Sequence, residues 1–348
     1  IASWLEKYAP DRLMTDIGGR GIAARYTGRG DGPHVLIRCE LDGLPIPETG
    51  EMEYFSRNEG ASHKCGHDGH MAILAGLAQS LTREPPGKGS VTLLFQPAEE
   101  TGEGARRVVE DKTFAGLQPD YAFALHNLPG YEEGEIVVSE GVFASASRGI
   151  IVRLQGDTSH AAEPQQGRSP ALATAQLIEN FSSLPQFRTP FHEAAQATVI
   201  HARVGEVAFG TSPSEGVVMA TLRAHSQDIL ELLWEEGARQ ARAIAETYGL
   251  KVSIEQGDDF PVTLNNPAAT EQVKAAAVEL GLPLTVLSHP FPWSEDFGHF
   301  TAGYAGAMFG LGSGTRQPSL HHPQYEFPDT IPEKGIGVFR LIIDRILK

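Results

Sequence analysis

The chain has 348 residues, 41% hydrophobic and 21% charged, with a formal net charge of -16, a globular composition long enough for two domains. The acidic balance excludes a basic nucleic-acid-binding face, and no apolar run reaches the roughly 18 to 20 residues that cross a bilayer. No charged n-region leads into an apolar h-region, and the two cysteines, Cys39 and Cys65, are too few for a disulfide framework, so a reducing, cytoplasmic setting is expected.

In chain order, Val35 to Cys39 and Val91 to Phe95 read as buried strands from their continuous apolar character. Between them, His70 to Leu81 carries small and apolar residues at helical spacing, and Tyr121 to Leu125 is a third strand. This alternation predicts an α/β sheet with functional residues at the strand ends. From about Ser147 the rhythm changes. Gly149 to Leu154 reads as a strand, Ser169 to Leu184 as a helix, and Ala197 to Arg203 and Gly216 to Ala224 as strands. A long helix from Asp228 to Tyr248 and a closing strand from Lys251 to Glu255 complete a βαββαβ order, the ferredoxin-like arrangement. After about Asn265 the α/β rhythm returns, with a helix from Ala268 to Leu280, a strand from Tyr304 to Gly310 and a terminal helix from Ile331 to Leu347. The expectation is a catalytic domain over 1-146 and 259-348, interrupted by a smaller domain over 147-258.

Four polar clusters stand at the ends of the predicted strands. His63-Lys64-Cys65-Gly66-His67-Asp68-Gly69-His70 opens a helix. Cys65 and His67, one residue apart, can place a thiolate and an imidazole on one metal, with Asp68 placed to orient a ligand. An isolated Cys-Gly-His is more often a polar capping loop, but the density of histidines and acid around this one favours metal. Gln96-Pro97-Ala98-Glu99-Glu100 follows an apolar strand, and its adjacent carboxylates can divide metal binding from proton transfer. His126 follows a third strand, and His321-His322 lie in a Gly- and Pro-rich loop. Singly, each of these is as readily a packed or solvated side chain.

Together the motifs resemble the metal-dependent amidohydrolase and peptidase family of aminoacylase, and within it the hippurate hydrolase and indole-acetyl-amino-acid hydrolase branch. The resemblance spans nearly the whole chain. It rests on Arg38-Cys39-Glu40-Leu41-Asp42-Gly43-Leu44-Pro45, Cys65-Gly66-His67-Asp68-Gly69-His70, Gln96-Pro97-Ala98-Glu99-Glu100 and Ser294-Glu295-Asp296-Phe297. It implies a zinc-peptidase-like α/β catalytic domain with a mixed β-sheet flanked by helices, and an inserted ferredoxin-like dimerisation and lid domain. It also implies two divalent metal ions per subunit (zinc, manganese, cobalt or nickel) on Cys65, His67, Glu100, His126 and His321, with Cys65 bridging. Glu99 is then the general base, Asp42 supports the cluster, and His160 reaches a neighbouring subunit's site to stabilise the oxyanion. Arg223 matches a substrate-binding arginine. The implied substrate is a small N-acyl amino acid or a dipeptide, and the implied assembly a homodimer.

The chain departs from the family pattern at three places. Glu40 stands where Asp is usual, His322 follows His321 where a small polar residue is usual, and Gly210 occupies the position of a substrate-contacting Asn. Two other readings remain open at this point: a cysteine hydrolase with Cys65 as nucleophile, and a catalytically silent binding relative. Cys39, in a predicted buried strand, is expected to be an inert core thiol.

Overall fold

The computed structural model describes residues 1-49 and 54-348. Its principal strands are β1 (Arg12–Ile17), β2 (Gly21–Thr27), β3 (His34–Glu40), β4 (Ser90–Gln96), β5 (Tyr121–Pro129), β6 (Ile136–Val138), β7 (Ala146–Gln155), β8 (Ala195–Val204), β9 (Glu215–Ala224), β10 (Lys251–Phe260), β11 (Leu284–Val286) and β12 (Ala305–Gly314). The principal helices are α1 (His67–Arg83), α2 (Ala171–Arg188), α3 (Gln227–Thr247), α4 (Pro267–Glu279) and α5 (Pro332–Leu347). The chain forms two compact units. The first is Ile1–Phe143, Thr263–Phe291 and Glu295–Lys348; the second is Ala144–Val262 and Pro292–Ser294.

The first unit is a mixed sheet in the order β1-β2-β4-β3-β5-β12-β6-β11. At its centre β4, β3, β5 and β12 run parallel. Every residue of β3 and β4 is buried, as expected of parallel strands covered on both faces. Ile37, Leu93, Phe123 and Phe309 share one core with Leu77 of α1, Val273 of α4 and Ile342 of α5. The parallel strands therefore all present their carboxyl ends on one side, where α/β sheets carry their ligands.

The second unit is an antiparallel sheet in the order β8-β9-β7-β10. Its core joins Ile150, Val152, Val218 and Leu222 of the sheet to Leu177 and Phe181 of α2 and Leu233 and Ala241 of α3. A short ladder pairs Ser159–His160 with Thr211–Ser212.

Four differences from the sequence expectation have local causes. The helix expected from His70 begins at His67, because Gly66 takes a left-handed conformation (φ 91°) and turns the chain into the helix one turn earlier. The helix expected to stop at Leu184 carries Pro185 and runs to Arg188, its last turn closed by Thr189, whose Oγ1 donates to the Pro185 carbonyl at 2.7 Å. Strands β1 and β2 carry polar residues that mask their pattern, and Arg12, Thr15 and Asp16 of β1 are exposed. Strands β6 and β11 are three residues each, too short for a periodic signal.

Candidate metal centre

The site is built at the carboxyl ends of the parallel strands. Asp42 follows β3, Glu99 and Glu100 follow β4, His126 lies within β5, His67 opens α1, and His321 comes from the loop before α5. Backbone strain marks two of these segments. Ala98, just before Glu99, has φ 55°, and His321 itself has φ 64°, conformations that cost a non-glycine residue about 1 to 3 kcal/mol and cluster at functional sites. Gly66 is required where it stands: a Cβ there would sit 2.6 Å from the Asn127 amide.

Two trios of metal-type donors share one sulfur. Cys65, His67 and His126 present ligand atoms within 4.8 Å of one another, and so do Cys65, Glu100 and His321. Cys65 Sγ lies 3.5 Å from His126 Nε2 and 3.4 Å from His321 Nε2. The tautomers are set from behind. His67 Nδ1 donates to the Asp42 carbonyl at 3.0 Å, and His126 Nδ1 donates to the Asn127 carbonyl at 2.9 Å. Each ring thus carries a proton on Nδ1 and turns Nε2 toward the cluster, the tautomer a metal ligand needs. Buried side-chain atoms without a hydrogen-bond partner include Asp42 Oδ1, His67 Nε2, Glu100 Oε1 and Glu295 Oε2. Stranded polar atoms of this kind are costly unless something binds them, and thiol, imidazole and carboxylate donors suit a zinc-type cation. The residues fit a metal pair.

The electrostatics agree. Burial and the neighbouring Glu100 and Glu99 push the Cys65 thiol well above its ordinary value. Burial resists ionisation of Asp42, yet its contacts with His67 and with the Glu100 and Glu99 backbone bring it down to about 2. Burial, then Glu295 and Asp296, raise Glu99 well above the usual carboxylate range. Glu295 is pushed up to about 7 and Asp296 to about 6, both chiefly by burial. Burial lowers His126 to about 4, so its imidazole is neutral.

The site residues expected from sequence fall into three groups. Asp42, Cys65, His67, Glu99, Glu100, His126 and His321 come together. His322 turns away, its Nδ1 accepting the Gln324 N–H at 3.2 Å. Asp68 is exposed and its carboxylate accepts the Gly69 N–H at 2.9 Å, so Asp42 rather than Asp68 touches the ligand histidine. His160 and Arg223 belong to the second unit. His160 is exposed, its Nδ1 accepts the Ala162 N–H at 3.1 Å, and its strand neighbour across the ladder is Thr211, beside Gly210. Arg223 Nη1 donates to the Pro292 carbonyl and to Ser294 Oγ at 3.1 and 2.9 Å. It borders a cavity of about 390 Å³ together with Glu193, Gln196 and His225.

Sequence reasoning missed the polar layer beneath the ligands. Buried Arg38 pairs with Glu40 and Asp296, and Asp296 also accepts from Gln96 Nε2 and from the Ala105 N–H. Glu40 takes His70 Nδ1 at 2.7 Å, while His70 Nε2 meets the Asn127 side chain at 2.6 Å. Both His70 nitrogens are therefore committed, and the Glu40–His67–His70 group is an orienting network rather than a further metal trio. The longer Glu40 side chain spends its reach on that network. Glu295, at the edge of the ligand set, was visible only as part of the Ser294-Glu295-Asp296-Phe297 string.

Comparison with known proteins adds identity to this geometry. The profile of Peptidase family M20/M25/M40 matches residues 36–345. The N-acetylcysteine deacetylase of Bacillus subtilis is 30% identical over 341 residues, covering 97% of this chain and 87% of that protein. An N-acetyldiaminopimelate deacetylase of Listeria monocytogenes is 29% identical over 322 residues, covering 92% and 86%. Among solved structures, a Bacillus subtilis dinuclear metal binding peptidase from the M20 family superposes with a TM-score of 0.82 at 24% identity, covering 99% of this chain and 90% of that one. No helix among the described residues is long and apolar enough to cross a membrane.

Proposed function

The chain belongs to peptidase family M20/M25/M40 and is a metal-dependent amidohydrolase; from that premise we propose that it removes the acyl group from N-acyl amino acids, with N-acetyl amino acids the first class to test. The observation that carries this reading is the pair of donor trios sharing Cys65, with the spare buried carboxylate of Glu99 alongside. The names of the deacetylase relatives support the substrate class.

In this reading Cys65, His67, Glu100, His126 and His321 would hold the metal pair. When bound, the pair supplies Lewis-acid polarisation of the scissile carbonyl and eases deprotonation of water. Glu99 takes the proton of the attacking water as the C–O bond forms, then delivers it to the departing amine nitrogen as the C–N bond breaks. Its Oε1 lies 3.4 Å from the Asp296 N–H, which aims the carboxylate. Asp42 holds His67 in its ligand tautomer through the main-chain carbonyl and fixes the Glu100 backbone, accepting its N–H at 2.9 Å.

The second unit, with its β8-β9-β7-β10 order, is proposed as a ferredoxin-like dimerisation and lid domain. His160 would serve the site of a second copy. Its Nδ1 is occupied as an acceptor, so Nε2–H remains to donate to the oxyanion, a role typically worth roughly 3 to 4 kcal/mol. Arg223, half-buried with no ion pair to a carboxylate among the described residues, would take the substrate carboxylate. Zinc, manganese, cobalt and nickel all suit the donors.

The test pairs elemental analysis with hydrolysis of N-acetylcysteine, N-acetyldiaminopimelate, hippurate and dipeptides, before and after chelation. The expected result is a metal pair per chain and chelator-sensitive deacylation, with Glu99→Gln lowering kcat by about 100-fold to 10,000-fold. Activity in metal-free protein would make Cys65 a nucleophile and overturn the mechanism. Preference for dipeptides over every acylated amino acid would overturn the substrate class.

A further inference from the structure

In the second unit, β8 and β9 run antiparallel with Gln196 directly opposite Arg223 and Ala195 opposite Ala224. Past that last pair the His225 N–H donates to the Ala194 carbonyl at 3.1 Å, and the Glu193 N–H closes a turn on the Pro190 carbonyl at 2.9 Å. The residues just before β8 are therefore tied to the end of β9. Glu193, Gln196, Arg223 and His225 line the same cavity of about 390 Å³. Its lining thus holds one guanidinium and one carboxylate, and among the described residues no ion pair joins them.

Each of the two groups has capacity left for a ligand. Arg223 Nη1 donates to the Pro292 carbonyl and to Ser294 Oγ, which uses both hydrogens of that nitrogen. The other edge of the guanidinium, Nε–H with an Nη2–H, carries no hydrogen bond among the described residues. That edge takes a carboxylate through two parallel bonds. The Glu193 side chain is 32% exposed, and its recorded neighbour is His192 Nε2 at 4.0 Å, a side chain 80% exposed. At that distance the contact is not a hydrogen bond, so the carboxylate is free to accept one.

We propose that Glu193 is a specificity residue: with the carboxylate of an N-acyl amino acid on Arg223, it accepts an ammonium at the far end of the side chain, and the preferred substrates are N-acyl derivatives of long, cationic amino acids. This rests on the reading of Arg223 as the residue that takes the substrate carboxylate. Arg223 and Glu193 stand too far apart to pair with each other, so one ligand has to span them. Glu193 lies at most about 10 Å along the chain from the residue facing Arg223, and an extended lysine holds its ammonium about 7 to 8 Å from its carboxylate carbon, taking bonds of about 1.5 Å. A neutral side chain gains nothing from Glu193, and an acidic one meets a like charge.

The experiment compares kcat/KM of the metal-loaded protein for the Nα-acetyl derivatives of lysine, norleucine, 2-aminoadipate and 2,4-diaminobutyrate. The first three are close in length and differ in charge; the last keeps the cation on a side chain two methylenes shorter. Wild type prefers the lysine derivative to the norleucine one by about tenfold, the low end for a hydrogen bond between charged groups because Glu193 is partly exposed. The 2-aminoadipate derivative ranks last, and the diaminobutyrate derivative loses the lysine advantage. Glu193→Gln brings the lysine-to-norleucine ratio close to one, chiefly through KM, and Glu193→Lys moves the preference to 2-aminoadipate. Arg223→Gln lowers kcat/KM for all four. Wild type without a lysine preference, or a preference that survives Glu193→Gln, overturns the assignment and leaves the deacylation reading standing. Arg223→Gln with wild-type kcat/KM refutes the carboxylate reading on which the assignment rests. Metal-loaded protein that hydrolyses none of the four refutes deacylation itself, and the assignment with it.

Discussion

Lys64 sits between the loops of two proposed metal ligands, Cys65 and His321, and is the residue through which their mutual placement can be perturbed without touching either. Its side chain is 3% exposed; Nζ donates to the Tyr325 carbonyl at 2.9 Å and pairs with Glu48 Oε1 at 3.1 Å. Its own carbonyl accepts the His321 N–H at 2.8 Å. One residue thus ties the loop of Cys65 to the loop of His321. Lys64→Met keeps most of the buried stem but removes the ammonium, leaving the Tyr325 carbonyl without this partner and Glu48 without its counter-ion. Breaking a fully buried pair costs about 3 to 5 kcal/mol. Glu48 is 14% exposed, so water recovers part of that, and about 2 to 3 kcal/mol is expected, or a fall in Tm on the order of 5 °C for a unit of this size. His321 is held at φ 64°, and a loosened loop lets it relax, so metal affinity should drop about tenfold if His321 is a ligand as proposed. Denaturant and thermal melts of metal-free protein, a double-mutant cycle with Glu48→Gln, and chelator competition measure these effects. A Lys64→Met protein with wild-type stability and metal affinity, or singles that add with no coupling, would refute the staple.

Gly66→Ala should cost about 1 to 3 kcal/mol from the left-handed backbone alone, and more as the new methyl meets the Asn127 amide at 2.6 Å. Melts of the metal-free protein together with metal per chain report it, and wild-type values for both would contradict the steric reading. Gly210→Asn is the opposite case. A Cβ there meets nothing within 4 Å, so stability should stay within about 0.5 kcal/mol. If the proposed substrate role holds, kcat/KM for an N-acyl amino acid should rise about tenfold, the worth of one charge-assisted hydrogen bond. Unchanged kcat/KM across the substrate panel in a stably folded variant would separate this position from substrate binding.

The sequence was most readable where a ligand follows a parallel strand. Strands such as β3, β4 and β5, buried along their length, read as continuous apolar runs, and the polar residue that ends each run stands out. The helical start at His67 was not readable, because the cause is a backbone angle at Gly66 rather than a side-chain pattern. The layer under the ligands was hidden for a different reason. Arg38 and Asp296 are 258 positions apart and Glu99 and Asp296 are 197 apart, so nothing local tells a buried charge in a strand from an ordinary polar residue. Asp68 shows the converse error: nearness in sequence to His67 suggested contact, yet the helix turns its carboxylate outward, while Asp42, 25 positions away from His67, makes the contact.

Charge balance explains why this interior needs a cation at all. Glu40, Glu99, Glu295 and Asp296 are buried around Arg38, with Glu100 and Asp42 at the rim. One guanidinium cannot neutralise that set, and the metal-free cluster compensates by holding protons. Glu99 is raised, Glu295 moves to about 7 and Asp296 to about 6, and His67 is raised because Asp42 and Glu100 outweigh its burial. Metal uptake is therefore an exchange of divalent charge for protons, which favours the ionised forms of the ligands and lowers Glu99 from its burial-raised value. The same carboxylate crowding that destabilises the empty cluster would suit Glu99 to the base role proposed for it, since a general base works best with a pKa close to the working pH. Arg38 sets the limit of this arrangement: by engaging Glu40 and Asp296 from beneath, it leaves Glu99 and Glu295 as buried carboxylates that take no hydrogen bond from the guanidinium.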